Sequence, residues 1–247
     1  MRAVTAATAV MGTVVLVSLS PAGLAQIPGT RLPDGALTPD WTGIWERKDG
    51  IRFNPIGELP PFAPAYADRY RKANEARQRG EVVADPTSRC LPPGMPRIMV
   101  ATYPLEILQT ARQVTIIAEW SSQVRRIFTD GRKMPPDDEL DVTFNGYSVG
   151  RWEGQTLVVE TRGIRGDTSF DASPLQHSDQ MTVSERIRQV DADTLQAVIT
   201  VTDPVAFTRP WVVTRHYRRA APEQQILEYI CEENNREVFL PGQNTKP

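Results

Sequence analysis

The sequence predicts a mostly β protein: an antiparallel meander that closes into a lipocalin-like β-barrel, with one helix near the N-terminus. From residue 97 onward, short stretches of alternating apolar and polar residues follow one another, at about 97–102, 104–109, 112–119, 123–130, 144–152, 155–162, 180–190, 194–202, 208–219 and 225–232. Turn residues separate them, including Asp130-Gly131, Glu153-Gly154, Asp191-Ala192-Asp193 and Asp203-Pro204. The run from Gly146 to Thr161 is the clearest unit, two alternating strands about a Glu153-Gly154 turn. So many strands in one open sheet would leave long unpaired edges; curling into a barrel removes them, and packing as a β-sandwich is the structural alternative.

Taken in order, the first element is a secretory signal over residues 1–25: Arg2 supplies a positive charge, Ala3 to Leu19 is almost wholly apolar or small, and Gly23-Leu24-Ala25 offers small residues for cleavage. The apolar run is shorter than a membrane span needs and ends at Pro21, and no later stretch is long enough to cross a bilayer. No cysteine adjoins the cleavage point, so a lipid anchor is not expected there. Residues 26–96 form an extended lead-in with one strand and the helix, and 97–247 form the barrel, all in a single domain. Within the lead-in, Trp41 to Glu46 reads as a strand with Trp41, Gly43 and Trp45 on one face. Pro61 to Gly80 reads as the helix: Pro64 suits its first turn, Tyr66, Tyr70, Ala73 and Arg77 share a face, and Gly80 suits its C-terminal cap. Asp85 to Pro96 is a proline-rich loop holding Cys90.

The 247 residues carry 28 Lys and Arg against 30 Asp and Glu, a formal charge of −2, with no basic cluster. Nucleic acid and anionic membrane surfaces are therefore not expected partners, and a small molecule is. Cys90 and Cys231 are expected to pair, because an exported chain meets an oxidising compartment; two buried free thiols are the alternative. A bridge closing so long a loop contributes on the order of 4 kcal/mol in the chain-entropy model. Two distant cysteines and two histidines do not make a zinc site, and there is no phosphate loop or dinucleotide fingerprint, so neither a metal nor a cofactor is expected.

The segments Cys90-Leu91-Pro92-Pro93-Gly94-Met95-Pro96-Arg97, Arg125 to Arg132, Gly150 to Val159 and Glu228 to Asn234 resemble those of an uncharacterised family of exported bacterial proteins. The resemblance covers most of the chain after the signal. It implies export, and it implies no particular activity or catalytic residues.

Candidate site residues therefore come from the strand pattern itself. Gly146 to Gly150 matches the Gly-x-Ser-x-Gly pattern of serine hydrolases, but a strand follows Ser148 where that chemistry needs a helix, so Ser148 is not expected to be a nucleophile. Charges on apolar strand faces are more informative. Glu185 shares its side with Val183 and Ile187, and Arg215 shares its side with Val213 and Tyr217. Interior charges must be paired with each other or with a ligand, or belong to a structural network. Arg126 and Asp130, alternating with Val124 and Phe128, and Glu119 at the end of the preceding strand follow the same logic. His177 falls in a loop between strands, where a barrel opens, with Asp179 as an orienting partner. His216 has the opposite parity to Arg215 and belongs outside.

Two functions fit this pattern. In the first, the exported, periplasmic protein binds a small apolar or aromatic molecule inside the barrel, against Arg126, Arg215, Glu119, Trp152 and Tyr217. In the second, His177, Asp130 and Glu185 supply acid–base catalysis for a cofactor-independent lyase, isomerase or hydrolase. A pocketless structural role in the envelope is a third.

Overall fold

A computed structural model of the chain describes residues 29–231, apart from 33, 34, 82 and 84, and the expected signal segment lies outside them. The hairpin legible in the sequence joins β7 (Tyr147–Glu153) to β8 (Thr156–Arg162). Gly154 opens its two-residue turn at φ +60°, the conformation a type II′ turn requires there and one that costs glycine nothing. Around this hairpin stand β3 (Gly43–Arg47), β4 (Leu105–Gln109), β5 (Gln113–Ala118), β6 (Gln123–Phe128), β9 (Thr182–Asp191), β10 (Thr194–Thr202) and β11 (Trp211–Arg219). These strands close into one barrel in the order β10-β11-β3-β4-β5-β6-β7-β8-β9, while β1 (Gly29–Arg31) and β2 (Leu37–Pro39) make a separate ribbon.

Three features depart from the expected meander. The barrel starts at Gly43, not at residue 97: β3 fills the gap between β11 and β4, with Trp45 opposite both Arg219 and Leu105. The junction of β6 with β7 is parallel, pairing only Ile127 with Ser148 and Phe128 with Val149, because the chain between them crosses back before re-entering the sheet. And two expected strands are absent. Arg97–Val100 is a 3₁₀ turn in which four consecutive residues are buried, so its apolar run reflects enclosure on every side rather than a strand's alternation. Residues 225–231 pass along the barrel in an irregular path, mostly exposed.

The barrel interior is filled. Trp41, Trp45, Ile127, Leu157 and Val159 belong to one continuous core with Ile98, Met99 and Tyr217, and the cavity lined by Trp41, Trp45, Met99, Ile127, Leu157 and Tyr217 measures about 20 Å³. That is room for no more than about one water, whereas ligand pockets run to roughly 300–1,000 Å³. Full burial of each such aliphatic side chain contributes about 1.5–3 kcal/mol, which is what a filled barrel gains over a hollow one.

Helix α1 (Pro64–Gln78) lies outside the barrel. Its start is fixed by backbone bonds from Ala63 N to Ala206 O and from Thr208 N to Pro61 O, and by Phe62 against Phe207 and Tyr70. Its end is a Schellman motif: Glu81 N donates to Ala76 O and Gly80 N to Arg77 O, with Gly80 at φ +80°. Of its side chains only Tyr66 is buried. The helix therefore bridges over the loops rather than sealing a barrel end.

Candidate functional site

The charges expected inside the barrel divide into two separate groups. Glu185, on β9, is 1% exposed and faces Arg125 on β6, also 1% exposed. Arg125 Nη1 donates to Glu185 Oε1 at 3.2 Å and Nη2 donates to Oε2. The same guanidinium donates to Ser148 Oγ at 3.3 Å and Thr161 Oγ1 at 3.0 Å, and those two hydroxyls are 2.8 Å apart. Ser148 is thus a buried member of a polar cluster on a strand. Arg215, 0% exposed, does not meet Glu185; its guanidinium donates to Arg52 O at 2.7 Å and Gly50 O at 2.8 Å, and burial pushes its pKa down. Tyr217 donates to Met99 O at 3.0 Å, and burial raises its phenol pKa well above the ordinary value.

The parity of β6 is the reverse of that expected. Arg125 and Ile127 point inward, and Val124 and Arg126 lie exposed outside. Asp130 sits in the turn after the strand, on Arg132 at 2.9 and 2.7 Å, whose hydrogen bonds hold its carboxyl down to about 2. Glu119 is buried, but its Oε2 accepts from Leu227 N at 3.0 Å and so clamps the C-terminal segment rather than facing the interior. Trp152 is half-buried against Trp41, ring centroids 4.9 Å apart. His216 lies on the outer face, its Nε2 accepting from Gln196 Nε2 at 3.1 Å and its Nδ1 3.4 Å from Asp49. Glu185, Asp130 and His177 occupy three different surroundings, so the structure does not assemble them into one site.

His177 lines a cleft of about 1050 Å³ between α1 and the loop from Gly166 to Gln180. It is 3% exposed. Its Nδ1–H donates to Ser178 O at 2.8 Å, and its Nε2 accepts from the Thr168 hydroxyl at 2.9 Å in the neutral ring. Asp179 is exposed and does not orient it. The loop is instead tied down by two buried carboxylates: Asp203 accepts from Ser178 N and Oγ at 2.6 and 2.7 Å, and Asp171 accepts from Phe53 N at 2.8 Å and Ser173 N at 2.7 Å. Arg97, bidentate to Asp85 at 2.7 and 2.8 Å and bonded to Ser169 Oγ at 3.0 Å, adds a third tie beside the cleft. Nothing in the local sequence marks this cleft, because its walls come from residues 66–86, 166–180 and 205.

Burial pushes the His177 pKa below its ordinary value, with Asp203 and Asp167 opposing more weakly. The sign follows: as pH falls, the unfolded chain takes up the proton first, so stability is lost as pH drops through about 6.5 toward the lower folded-state pKa. Urea midpoints measured from pH 7.5 to 5.5 should fall for the native chain and flatten for His177→Gln. Equal slopes for the two would show that His177 carries none of the dependence.

Among the described residues, no group of three or more His, Cys, Asp or Glu side chains is placed to hold a metal ion, and no helix is long and apolar enough to cross a membrane. Cys90 and Cys231 are joined by a disulfide. What the fold and cleft define is a filled β-barrel carrying an external groove. Comparison of the chain with family models, curated proteins and solved structures finds no match.

Proposed function

We propose that this is an exported, periplasmic protein that binds a small apolar or aromatic molecule, and that the molecule sits in the cleft beside α1 rather than inside the barrel. The contrast in volume carries the reading: about 1050 Å³ in the cleft against about 20 Å³ in the interior. Tyr66, Pro174, Leu175 and Val205 give the cleft apolar surface, and buried polar groups stand beside it, the combination expected of a ligand site. The signal-like residues 1–25 and the disulfide support export, since such a bridge persists in an oxidising compartment. Acid–base catalysis has less support, because both ring nitrogens of His177 are engaged and Asp130 and Glu185 lie elsewhere.

The test is native mass spectrometry of protein recovered from the periplasm, compared with Val205→Trp. Val205 is 43% exposed at the cleft, so an indole there intrudes into the cleft without disturbing the core. A copurified small molecule that the variant loses, with an unchanged unfolding midpoint, is the expected result. A molecule retained equally by the variant would move the site away from this cleft.

A further inference from the structure

The cleft beside α1 has a neighbour. A second concavity, about 690 Å³, borders the adjacent flank of the same helix, along Tyr70, Asn74 and Gln78. The two share Arg77, Asp171, Ala172, Ser173 and Leu175 as lining. Their common wall includes one polar tie, Arg77 Nη1 donating to Ala172 O at 3.2 Å. Arg77 therefore stands where two chambers meet under one helix.

The chambers differ in chemistry. Four of the carboxylates lining the larger one are already engaged: Glu81 by Arg79 at 2.6 Å, Asp85 by Arg97 at 2.7 Å, Asp167 by Arg165 at 2.6 Å, and Asp171 by the amides of Phe53 and Ser173. Arg69 and Arg77 line it too, and among the described residues neither has a carboxylate partner; Arg69 lies over the Tyr66 ring at 4.8 Å. Against these two cations only Asp179 remains as an uncompensated anion. The smaller chamber takes Ile51, Leu59, Tyr70 and Trp211 into its lining, with Ile51 60% and Leu59 50% exposed, together with the polar side chains of Arg52, Asn54 and Glu58. The Trp211 indole N–H is buried without an acceptor.

We propose that α1 roofs one groove for an amphipathic organic carboxylate: its anionic head on Arg69 and Arg77, its apolar tail against Ile51, Leu59, Tyr70 and Trp211. This rests on the cleft reading above and adds the ligand's class. A guanidinium fork matches a carboxylate, and a charged acceptor binds Arg77 more strongly than the neutral Ala172 carbonyl it replaces. The exchange opens the tie between the chambers and gives the tail its way through. Each methylene then buried on the exposed aliphatic side chains strengthens binding by about fourfold.

Calorimetric titration of the processed, disulfide-bonded chain with octanoate, butyrate and octanamide tests this. Octanoate is expected to bind more tightly than butyrate, and octanamide about tenfold more weakly than octanoate. Arg69→Gln with Arg77→Gln should cost octanoate about tenfold or more, and Leu59→Glu should weaken octanoate while leaving butyrate unchanged. Both sites are on the surface, and circular dichroism checks the fold. Equal binding of octanamide, or no loss in the double arginine variant, overturns the anionic head. Octanoate binding indifferent to Leu59→Glu overturns the continuous groove. If octanoate fails to bind while a periplasmic molecule is retained and displaced by Val205→Trp, the class is wrong and the cleft stands; if nothing binds or is retained, both readings fail.

Discussion

Glu185→Gln is expected to destabilise the protein by about 3–5 kcal/mol, the cost of breaking a buried ion pair from one side. The change keeps the shape of the side chain and removes only its charge, so it leaves the Arg125 guanidinium uncompensated at 1% exposure. Ser148 and Thr161 still accept from that guanidinium, but two neutral hydroxyls do not replace a carboxylate's charge. For a domain of this size the loss corresponds to a drop in Tm of roughly 10 °C. Joint replacement, Arg125→Met with Glu185→Leu, should recover most of it, because an apolar pair of similar volume needs no compensation and the two hydroxyls keep each other as partners at 2.8 Å. Thermal and urea unfolding of the three proteins decides the matter. A single-variant cost below about 1 kcal/mol, or a double variant as unstable as the single, would mean the pair is not a closed ionic unit.

This pair also explains why the strands were legible in the sequence while one parity was not. Most strands announced themselves through alternation and turn residues, and the inward sides of β9 and β11 followed from Val183-Glu185-Ile187 and Val213-Arg215-Tyr217. In β6 the two faces are nearly equal by local pattern: Val124, Arg126 and Phe128 on one, Gln123, Arg125 and Ile127 on the other. Each offers one arginine. A slip by one residue exchanges them, and only a partner sixty residues away in sequence, Glu185, makes the Arg125 face the interior one. The ion pair thus sets which face of β6 is inside, at the same junction where β6 meets β7 through only two parallel residue pairs.

The cleft was illegible for a related reason. His177 was identifiable as a loop histidine, but Asp179 beside it in sequence is not its partner. Its environment is built by Thr168, by its neighbour's carbonyl and by a loop that Asp203 holds from β10's far end. The stretch at 97–102 makes the same point from the core. Ile98, Met99 and Val100 are apolar because a 3₁₀ turn is enclosed by the fold, and no periodicity within four residues separates that case from a strand.

Removing the disulfide, by Cys90→Ser with Cys231→Ser, is expected to cost about 2–5 kcal/mol, and the place in that range reports how the C-terminal segment is held. The cysteines are 141 residues apart, so their bond closes a loop containing nearly the whole barrel. The chain-entropy model gives about 5 kcal/mol for a loop of that length if the native state is otherwise unchanged. The native state will change, however. Residues 222–231 lie mostly exposed and meet the barrel mainly through Leu227 N on Glu119, Ser122 Oγ on Tyr229 O at 3.5 Å, and the Tyr229 ring on Tyr103 at 5.0 Å. Without the covalent tie these contacts cannot offset the entropy of ordering ten residues, and the segment frays. Fraying adds entropy to the native state alone, which lowers the net loss toward the smaller end of the range. Chymotrypsin distinguishes the two behaviours: early cleavage at Leu227 and Tyr229 in the serine variant, with the barrel intact and a loss near 2 kcal/mol, is the expected outcome. Full protection of those sites together with a loss near 5 kcal/mol would show that the segment is held by its own packing and that the disulfide acts only on the unfolded chain.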